Sequence, residues 1–373
     1  MKTLKLRIRD KHADQLNRLS GSVNFVWNYV NDLSYRHLQK TGKFFSAYDL
    51  NDYTKGSGEL LGLHSQTIQA INETHTKSRR QSKKAKLSWR TNNPKSKRKN
   101  LGWLPFKQSA IKHIATHQIG NGLLKSKGLK STLQLSLAKG QKLVIDLWDS
   151  YNLSLYQINT LEIVQDSRNR WYACITVKDY PKQSCGTGSV GIDLGLKDSA
   201  TASNGDKLTI KQTLKYAKQL AIAQRSNNKK RIKAIHAKIK NTRQDLIHKF
   251  TTQLVKDNAL IVVGDVKTTQ FNSKKGKLAK SVYDAGWFEL KRQLTYKCEN
   301  AGCRFEIVSE RYTTQTCSCC GQIDRNSPKG RAGLRIREWT CAMCGTWHDR
   351  DINASRNILA VGLGRLGAGI PSL

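Results

Sequence analysis

The chain has 373 residues, with 65 Lys and Arg against 27 Asp and Glu, a formal charge of +38 at pH 7. An excess this large repels itself until a polyanion neutralises it, so the composition points to nucleic acid and away from small acidic substrates. No run of about 18 apolar residues and no apolar signal core is present, which argues against a membrane partner and against export and leaves a reducing cytosol as the expected setting.

The length is a prior for two or three domains. In chain order, Leu4, Leu6 and Ile8 alternate with Lys5, Arg7 and Arg9, the period of a strand with one buried and one basic face. Val23, Val26, Trp27 and Val30 then share a helical stripe, and Leu63, Ile68 and Ile71 mark a second helix. From Lys77 to Lys99 there are eleven Lys or Arg and no acid. Such runs are often solvated loops. With Trp89 inside it and Trp103 and Phe106 just beyond, this one is expected to contact phosphates, with aromatics available for stacking on bases. Short strands follow at Thr132–Leu137, Lys142–Trp148, Leu161–Gln165 and Trp171–Val177, as in a small β-barrel or sheet to which the first strand belongs. Pro181–Gly188 is a linker.

Beyond it, Val190–Leu196 is an apolar strand interrupted by one carboxylate, Asp193. A lone buried charge costs several kcal/mol unless it is paired or holds a cation, so Asp193 is either a salt-bridged structural residue or a metal ligand. Strands at Ala200–Ala202 and Lys207–Ile210, a basic helical region from Thr213 to Val255, a strand at Ala259–Val266, a helix at Trp287–Cys298 and a strand at Cys303–Glu310 complete the order of an RNase H-like sheet. Such sites hold two Mg²⁺ on three or four carboxylates and hydrolyse phosphodiesters.

Cys317, Cys320, Cys341 and Cys344 form a C-x2-C-x20-C-x2-C pattern, two knuckles closing one tetrahedral Zn²⁺. Four thiolates leave that ion no open position, so its role is structural. Within the ribbon, Arg331, Arg335 and Arg337 are expected to face phosphates. His348 is open to several readings: a ligand, a base, or a surface or packing residue. Asp349, Arg350 and Asp351 then begin a helix running through Ile358, which puts a carboxylate at a helix start. Cys174, Cys185, Cys298, Cys303 and Cys319 read as ordinary packed thiols, and Trp287 as core.

The segments Gly191-Ile-Asp-Leu-Gly195, Lys280-Ser-Val-Tyr-Asp-Ala-Gly-Trp287, Tyr312-Thr-Thr-Gln-Thr-Cys-Ser-Cys-Cys-Gly321 and His348-Asp-Arg-Asp-Ile-Asn-Ala-Ser-Arg-Asn357 closely resemble TnpB, a family of transposon-associated, RNA-guided DNA endonucleases related to type V CRISPR effectors. The resemblance is specific over roughly residues 186–363 and weaker but colinear over 1–185. It implies an α+β multi-domain protein. A wedge β-barrel (1–10 and 123–185) would carry a helical recognition domain (11–122) as an insertion. An RNase H-like, RuvC-type nuclease domain (186–311 and 349–373) would carry the zinc ribbon (312–348). It further implies a non-coding guide RNA from the transposon end, double-stranded target DNA checked for a short transposon-adjacent motif, Mg²⁺ or Mn²⁺ at the nuclease site, and a place in the prokaryotic cytosol or nucleoid.

By the same resemblance Asp193 and Asp351 match the first and last catalytic aspartates, with Asp349 ranked behind Asp351. The middle glutamate's place is taken by Gly264. Asp265 is adjacent, but strand alternation turns it to the opposite face. Glu310 closes the neighbouring strand, where Glu306, Val308 and Glu310 share a face, and a glycine at 264 would leave room for it. Glu310 is therefore favoured over Asp265. The rival reading is a nuclease-inactive, RNA-guided DNA-binding repressor. A DDE-type transposase would also offer three acids, but the placement of the ribbon fits TnpB better.

Overall fold

The structure is a computed structural model. It describes residues 1–93, 95–96, 99–119, 128–178, 180–181, 183–266, 279–333 and 335–364, with backbone alone at 279, 280, 331 and 332. It divides into two units, Met1–Pro181 and Lys182–Leu373. Among the described residues no helix is long and apolar enough to cross a membrane.

In the first unit, strand β1 (Lys2–Ile8) is followed by helices α1 (Ala13–Thr41), α2 (Ala47–Thr54), α3 (Gly58–Leu61) and α4 (Ser65–Ser82). Strands β2 (Trp103–Lys107), β3 (Ile111–Ile119), β4 (Gly128–Ser136), β5 (Lys142–Asp149), β6 (Ile158–Gln165) and β7 (Trp171–Val177) come next. The seven strands make one antiparallel sheet in the order β2-β6-β7-β1-β5-β4-β3. The alternation read from the sequence decides its inner face: Leu4, Leu6, Ile8, Ile145, Leu161, Ile163, Ala173 and Ile175 are all buried. Each such aliphatic side chain contributes roughly 1.5–3 kcal/mol of burial free energy.

Two expectations are corrected here. The sheet is not hydrogen-bonded into a barrel, because its edges β2 and β3 do not pair. Those edge strands are nevertheless consecutive, joined by a single 3-10 turn, Gln108–Ala110. Four residues of chain span at most about 14 Å, so the sheet has to curl until its edges nearly meet. Residues 103–119 also form strands, although they fall in the span expected to be helical, and the boundary expected at 122/123 lies outside the described residues. Short β-branched and aromatic runs among lysines carried too little alternation to be recognised.

The basic stretch is less free than a solvated loop. Its first residues close α4, and Leu87 and Arg90 are pinned to α1: Asn31 Nδ2 donates to Leu87 O (2.8 Å), Asn28 Oδ1 accepts from Arg90 N (2.8 Å), and Asn24 Oδ1 accepts from Arg90 Nε (2.9 Å). Phe106 is buried and Trp103 packs edge-on to Trp27, so neither can stack on a base. Trp89, more than half exposed, can. Pro94, Lys97 and Arg98 lie outside the described residues.

The second unit holds β8 (Gly188–Asp193), β9 (Ala200–Ala202), β10 (Lys207–Leu208), α5 (Gln212–Lys215), α6 (Ala217–Arg225), α7 (Lys229–Asp257) and β11 (Asn258–Gly264). It continues with α8 (Ala279–Ala285), α9 (Trp287–Ala301), β12 (Arg304–Val308), α10 (Gly330–Gly333), β13 (Glu338–Thr340), β14 (Trp347–Asp349) and α11 (Arg350–Gly362). The main sheet runs β10-β9-β8-β11-β12, with an antiparallel meander over the first three strands and β8, β11 and β12 parallel. Helices α7 and α9 cover one face and α11 the other. Trp287 is core, as expected, with its indole N–H donating to Ser199 O (3.0 Å). β13 and β14 form a separate hairpin.

Candidate functional site: a carboxylate cluster beside a four-cysteine knot

Strand alternation decides which side chains meet. Val190, Ile192, Ile261, Val263 and Phe305 pack toward α7 and α9, whereas Leu260, Val262 and Val308 pack with Ile358 and Leu359 of α11. By the same two-residue period, Asp193 at the end of β8, Gly264 at the end of β11 and Glu310 just past β12 belong to the α11 face. The helix lies close because residue 191 is glycine. A Cβ there would stand 2.0 Å from Ser355 O and 2.6 Å from Leu359 N. That approach carries Asp351, in the first turn of α11, to the end of β8.

The electrostatics report the convergence. Asp193 is partly buried, and its carboxyl is pushed up to about 8, first by burial, then by the charges of Asp351 and Glu310, with Arg350 opposing. Glu310 is also pushed up by burial, with Lys291 opposing and Asp265 adding. The structure thus brings Asp193, Glu310 and Asp351 together. They are not drawn in as tightly as the ligands of one ion. Among the described residues, only the cysteine group has three or more ligand-bearing side chains with all donor atoms within 4.8 Å.

Glu310 occupies the space over Gly264: a Cβ built at Gly264 would lie 3.2 Å from Glu310 Oε2, 3.3 Å from Glu310 Cβ and 3.1 Å from Ile358 Cδ1. Asp265 is exposed and ion-paired with Lys291 Nζ (3.0 Å). Asp349 is the N-cap of α11, accepting from Asp351 N (2.9 Å) and Ile352 N (3.0 Å), with Lys207 Nζ 3.2 Å away. Its carboxylate is engaged in satisfying the helix's first amides. Asp351 pairs with Arg350 (3.2 Å) and with Arg337 of the ribbon (3.5 Å). Arg337 was expected to face phosphate; it faces this acid instead. The side chain of Arg331 lies outside the described residues. Sequence reasoning missed Lys291, Arg350 and Arg337 as cations around the cluster, because in so basic a chain no single lysine or arginine stands out.

The cysteine knot fits a tetrahedral metal such as zinc. Cys317 Sγ lies 3.7 Å from Cys344 Sγ and Cys320 Sγ 3.6 Å from Cys341 Sγ. With Zn–S of about 2.3 Å the edge of a tetrahedron is about 3.8 Å. The knuckles are alike: Gly321 N donates to Cys317 O and Gly345 N to Cys341 O, both at 2.9 Å. The two glycines take φ of +76° and +71°, which other residues adopt at a cost. Between the knuckles, buried Asp324 accepts from Asn326 N (2.7 Å), Ser327 N (3.1 Å) and Ala342 N (2.7 Å), tying the first knuckle's loop to the second. His348 is buried against Trp339 with Nε2 3.0 Å from Cys317 Sγ, so it supports a cysteine rather than lying at the surface.

Residues 172–273 match the family model described as "Probable transposase", and residues 287–358 match "Cas12f1-like, TNB domain". Gly191–Gly195 falls in the first match and Cys317–Asn357 in the second. The chain is 34% identical over 251 residues to "Putative RNA-guided DNA endonuclease" of Streptomyces pristinaespiralis, covering 63% of this chain and 61% of that one. It is 31% identical over 239 residues to "Putative RNA-guided DNA endonuclease InsQ" of Escherichia coli K12, covering 55% and 57%. The matches therefore span about three fifths of these relatives. A solved Cas12f1–sgRNA–target DNA complex shares the fold at TM-score 0.60 and 13% identity, over 94% of this chain and 83% of that one. The chain thus has a mixed α/β fold similar to that of the Cas12f effectors, with a curled sheet and a candidate four-cysteine metal site. The family-model matches and the curated relatives together support a TnpB-family protein.

Proposed function

We propose that the protein is an RNA-guided DNA endonuclease of an insertion sequence, cutting both strands of target DNA at one RuvC-like site formed by Asp193, Glu310 and Asp351. The observation that carries this reading is the convergence of three acids from distant parts of the chain: Glu310 fills the space over Gly264, α11 lies close enough on β8 to bring Asp351 to its end, and burial together with those two charges pushes the Asp193 carboxyl up. A concentration of negative charge at the carboxyl ends of parallel strands is costly unless cations occupy it. The strand order, with α11 laid across its face, supports an RNase H-like assignment. The donor set is all oxygen, which suits Mg²⁺ or Mn²⁺. When bound there, such ions polarise the scissile phosphate and acidify a water.

The chain's own residues have distinct tasks. Asp193 keeps a proton at neutral pH until a cation displaces it. Glu310 fills the place vacated at Gly264. Asp349 holds the helix start that presents Asp351, and Lys291 and Arg350 balance the charge of the cluster. Zinc in the cysteine knot is structural. The curled sheet and its helices are the part suited to hold a transposon-end guide RNA, as a wedge and a recognition domain would. Sequence choice is then left mostly to base pairing with the guide.

The test is to incubate the protein, loaded with its co-purifying RNA, with plasmid matched to the guide and Mg²⁺. Linear product that disappears with Asp193→Asn supports the proposal, and binding without cleavage leaves the repressor reading. Sequencing that RNA should return a discrete transcript ending in a variable guide; random RNA would mean a generic nucleic-acid binder.

A further inference from the structure

Asn353 and Asn357 lie one turn apart on α11, both buried. A buried amide on an apolar helix face costs free energy unless its donors and acceptor are satisfied. Here both side chains reach the same strip of chain, the turn between Glu310 and the first zinc knuckle. Asn353 Nδ2 donates to Thr313 O (3.3 Å) and Thr316 O (2.8 Å), while its Oδ1 accepts from Ser318 N (2.8 Å), inside the Cys317–Cys320 knuckle. Asn357 Nδ2 donates to the same two carbonyls at 2.8 and 2.7 Å.

The strip itself has little freedom. Thr313 Oγ1 donates to Glu310 O (2.8 Å), Thr316 Oγ1 donates to Tyr312 O (3.0 Å), and both threonines are buried. Tyr312, two residues after Glu310, is held at φ +63°, a left-handed conformation that a bulky residue keeps only when its surroundings enforce it. One end of this braced turn carries Glu310 and the other carries Cys317. The helix that braces it also carries Asp351, two residues before Asn353. Ordinary helix packing would need neither a doubled amide on two carbonyls nor a bond into the knuckle.

We propose that Asn353 and Asn357 are positioning residues that couple the metal of the cysteine knot to the carboxylate cluster. An intact knot fixes Ser318, and through the asparagines it fixes Glu310 and Asp351 in the spacing that takes divalent cations. This inference rests on the proposed metal-binding role of those acids. Coupling of binding sites is reciprocal, so a cation on the acids must tighten zinc by the factor by which zinc tightens that cation.

The experiment measures zinc affinity of the full-length, RNA-loaded protein by competition with a chromogenic chelator, with and without saturating Mg²⁺. Wild type should bind zinc at least about fivefold more tightly with Mg²⁺, the lower end of ordinary couplings. Asp193→Asn should abolish the shift, which places the Mg²⁺ on the acids. Asn353→Ala should lose the shift and weaken zinc about tenfold, as removal of a group supporting a metal ligand does. Asn357→Ser removes only the shared donors and carries the test if Asn353→Ala does not fold. A wild-type zinc affinity indifferent to Mg²⁺, or asparagine variants that keep the full shift, would overturn the coupling. Because no cleavage is read, a protein that binds Mg²⁺ without cutting still tests it, and a protein that cuts without the shift refutes the coupling alone.

Discussion

Placing Glu310 over Gly264 makes a prediction with a definite size. In Gly264→Ala the added methyl meets Glu310 Oε2 at 3.2 Å, Glu310 Cβ at 3.3 Å and Ile358 Cδ1 at 3.1 Å, each a few tenths of an ångström too close. Crowding of this kind costs about 1–3 kcal/mol, and alanine's lower unfolded-state entropy in a strand returns about 0.5–1. The net stability loss should be only about 0–2.5 kcal/mol. Activity should fall as well, because Glu310 is the group that must give way: misplacement of a reacting group by about 1 Å costs on the order of 100-fold, so a shift of a few tenths should cost roughly 2–4-fold. Glu310→Gln should abolish cutting while sparing DNA binding, and Asp265→Asn should do little. The exchange Gly264→Glu with Glu310→Ala should recover part of the rate, since it returns a carboxylate to the same space from the neighbouring strand. Plasmid cleavage timed over a Mn²⁺ series, beside urea unfolding of each variant, reads all four. Gly264→Ala and Glu310→Gln both cutting at the wild-type rate would refute the reasoning.

Asp193 sets a pH dependence. Its folded-state value of about 8 exceeds the ordinary carboxylate value, so from about pH 4 to 8 the metal-free fold holds a proton that the unfolded chain has released. Stability without divalent cations should therefore fall as pH rises through that window, by up to about 1.4 kcal/mol per unit, and Asp193→Asn should flatten the slope; urea melts in Mg²⁺-free buffer would show it. Mg²⁺ affinity should climb over the same window, because the cation competes with that proton, and a flat titration by calorimetry would contradict the shift. Cys341→Ser should lose the bound zinc by elemental analysis and unfold at markedly lower temperature, since the knot's other contacts enclose only a small apolar cluster around Trp339. Nucleic-acid affinity should drop about 10³–10⁵-fold between 50 and 200 mM salt if six to ten phosphates are neutralised, and a shallow slope by filter binding would mean few contacts.

Much of this protein was legible in one dimension. The alternation of Leu4, Leu6 and Ile8, the strands from Lys142 to Val177, the meander after Asp193 and the spacing of Cys317, Cys320, Cys341 and Cys344 are local patterns. Period and spacing act over a few residues, so they survive without knowledge of the rest of the chain. The strand at 103–107 escaped because its partner, β6, lies far along the chain, and pairing rather than intrinsic preference makes it a strand. Phe106 and Trp103, read as free to stack, are turned inward by the same sheet. The room at Gly264 already favoured Glu310 from the sequence, but only tertiary structure could set Arg337 against Asp351 and turn Asn353 and Asn357 into a brace on the turn after Glu310. Each joins separate segments of the chain, and no repeat or spacing in the chain encodes where such segments touch.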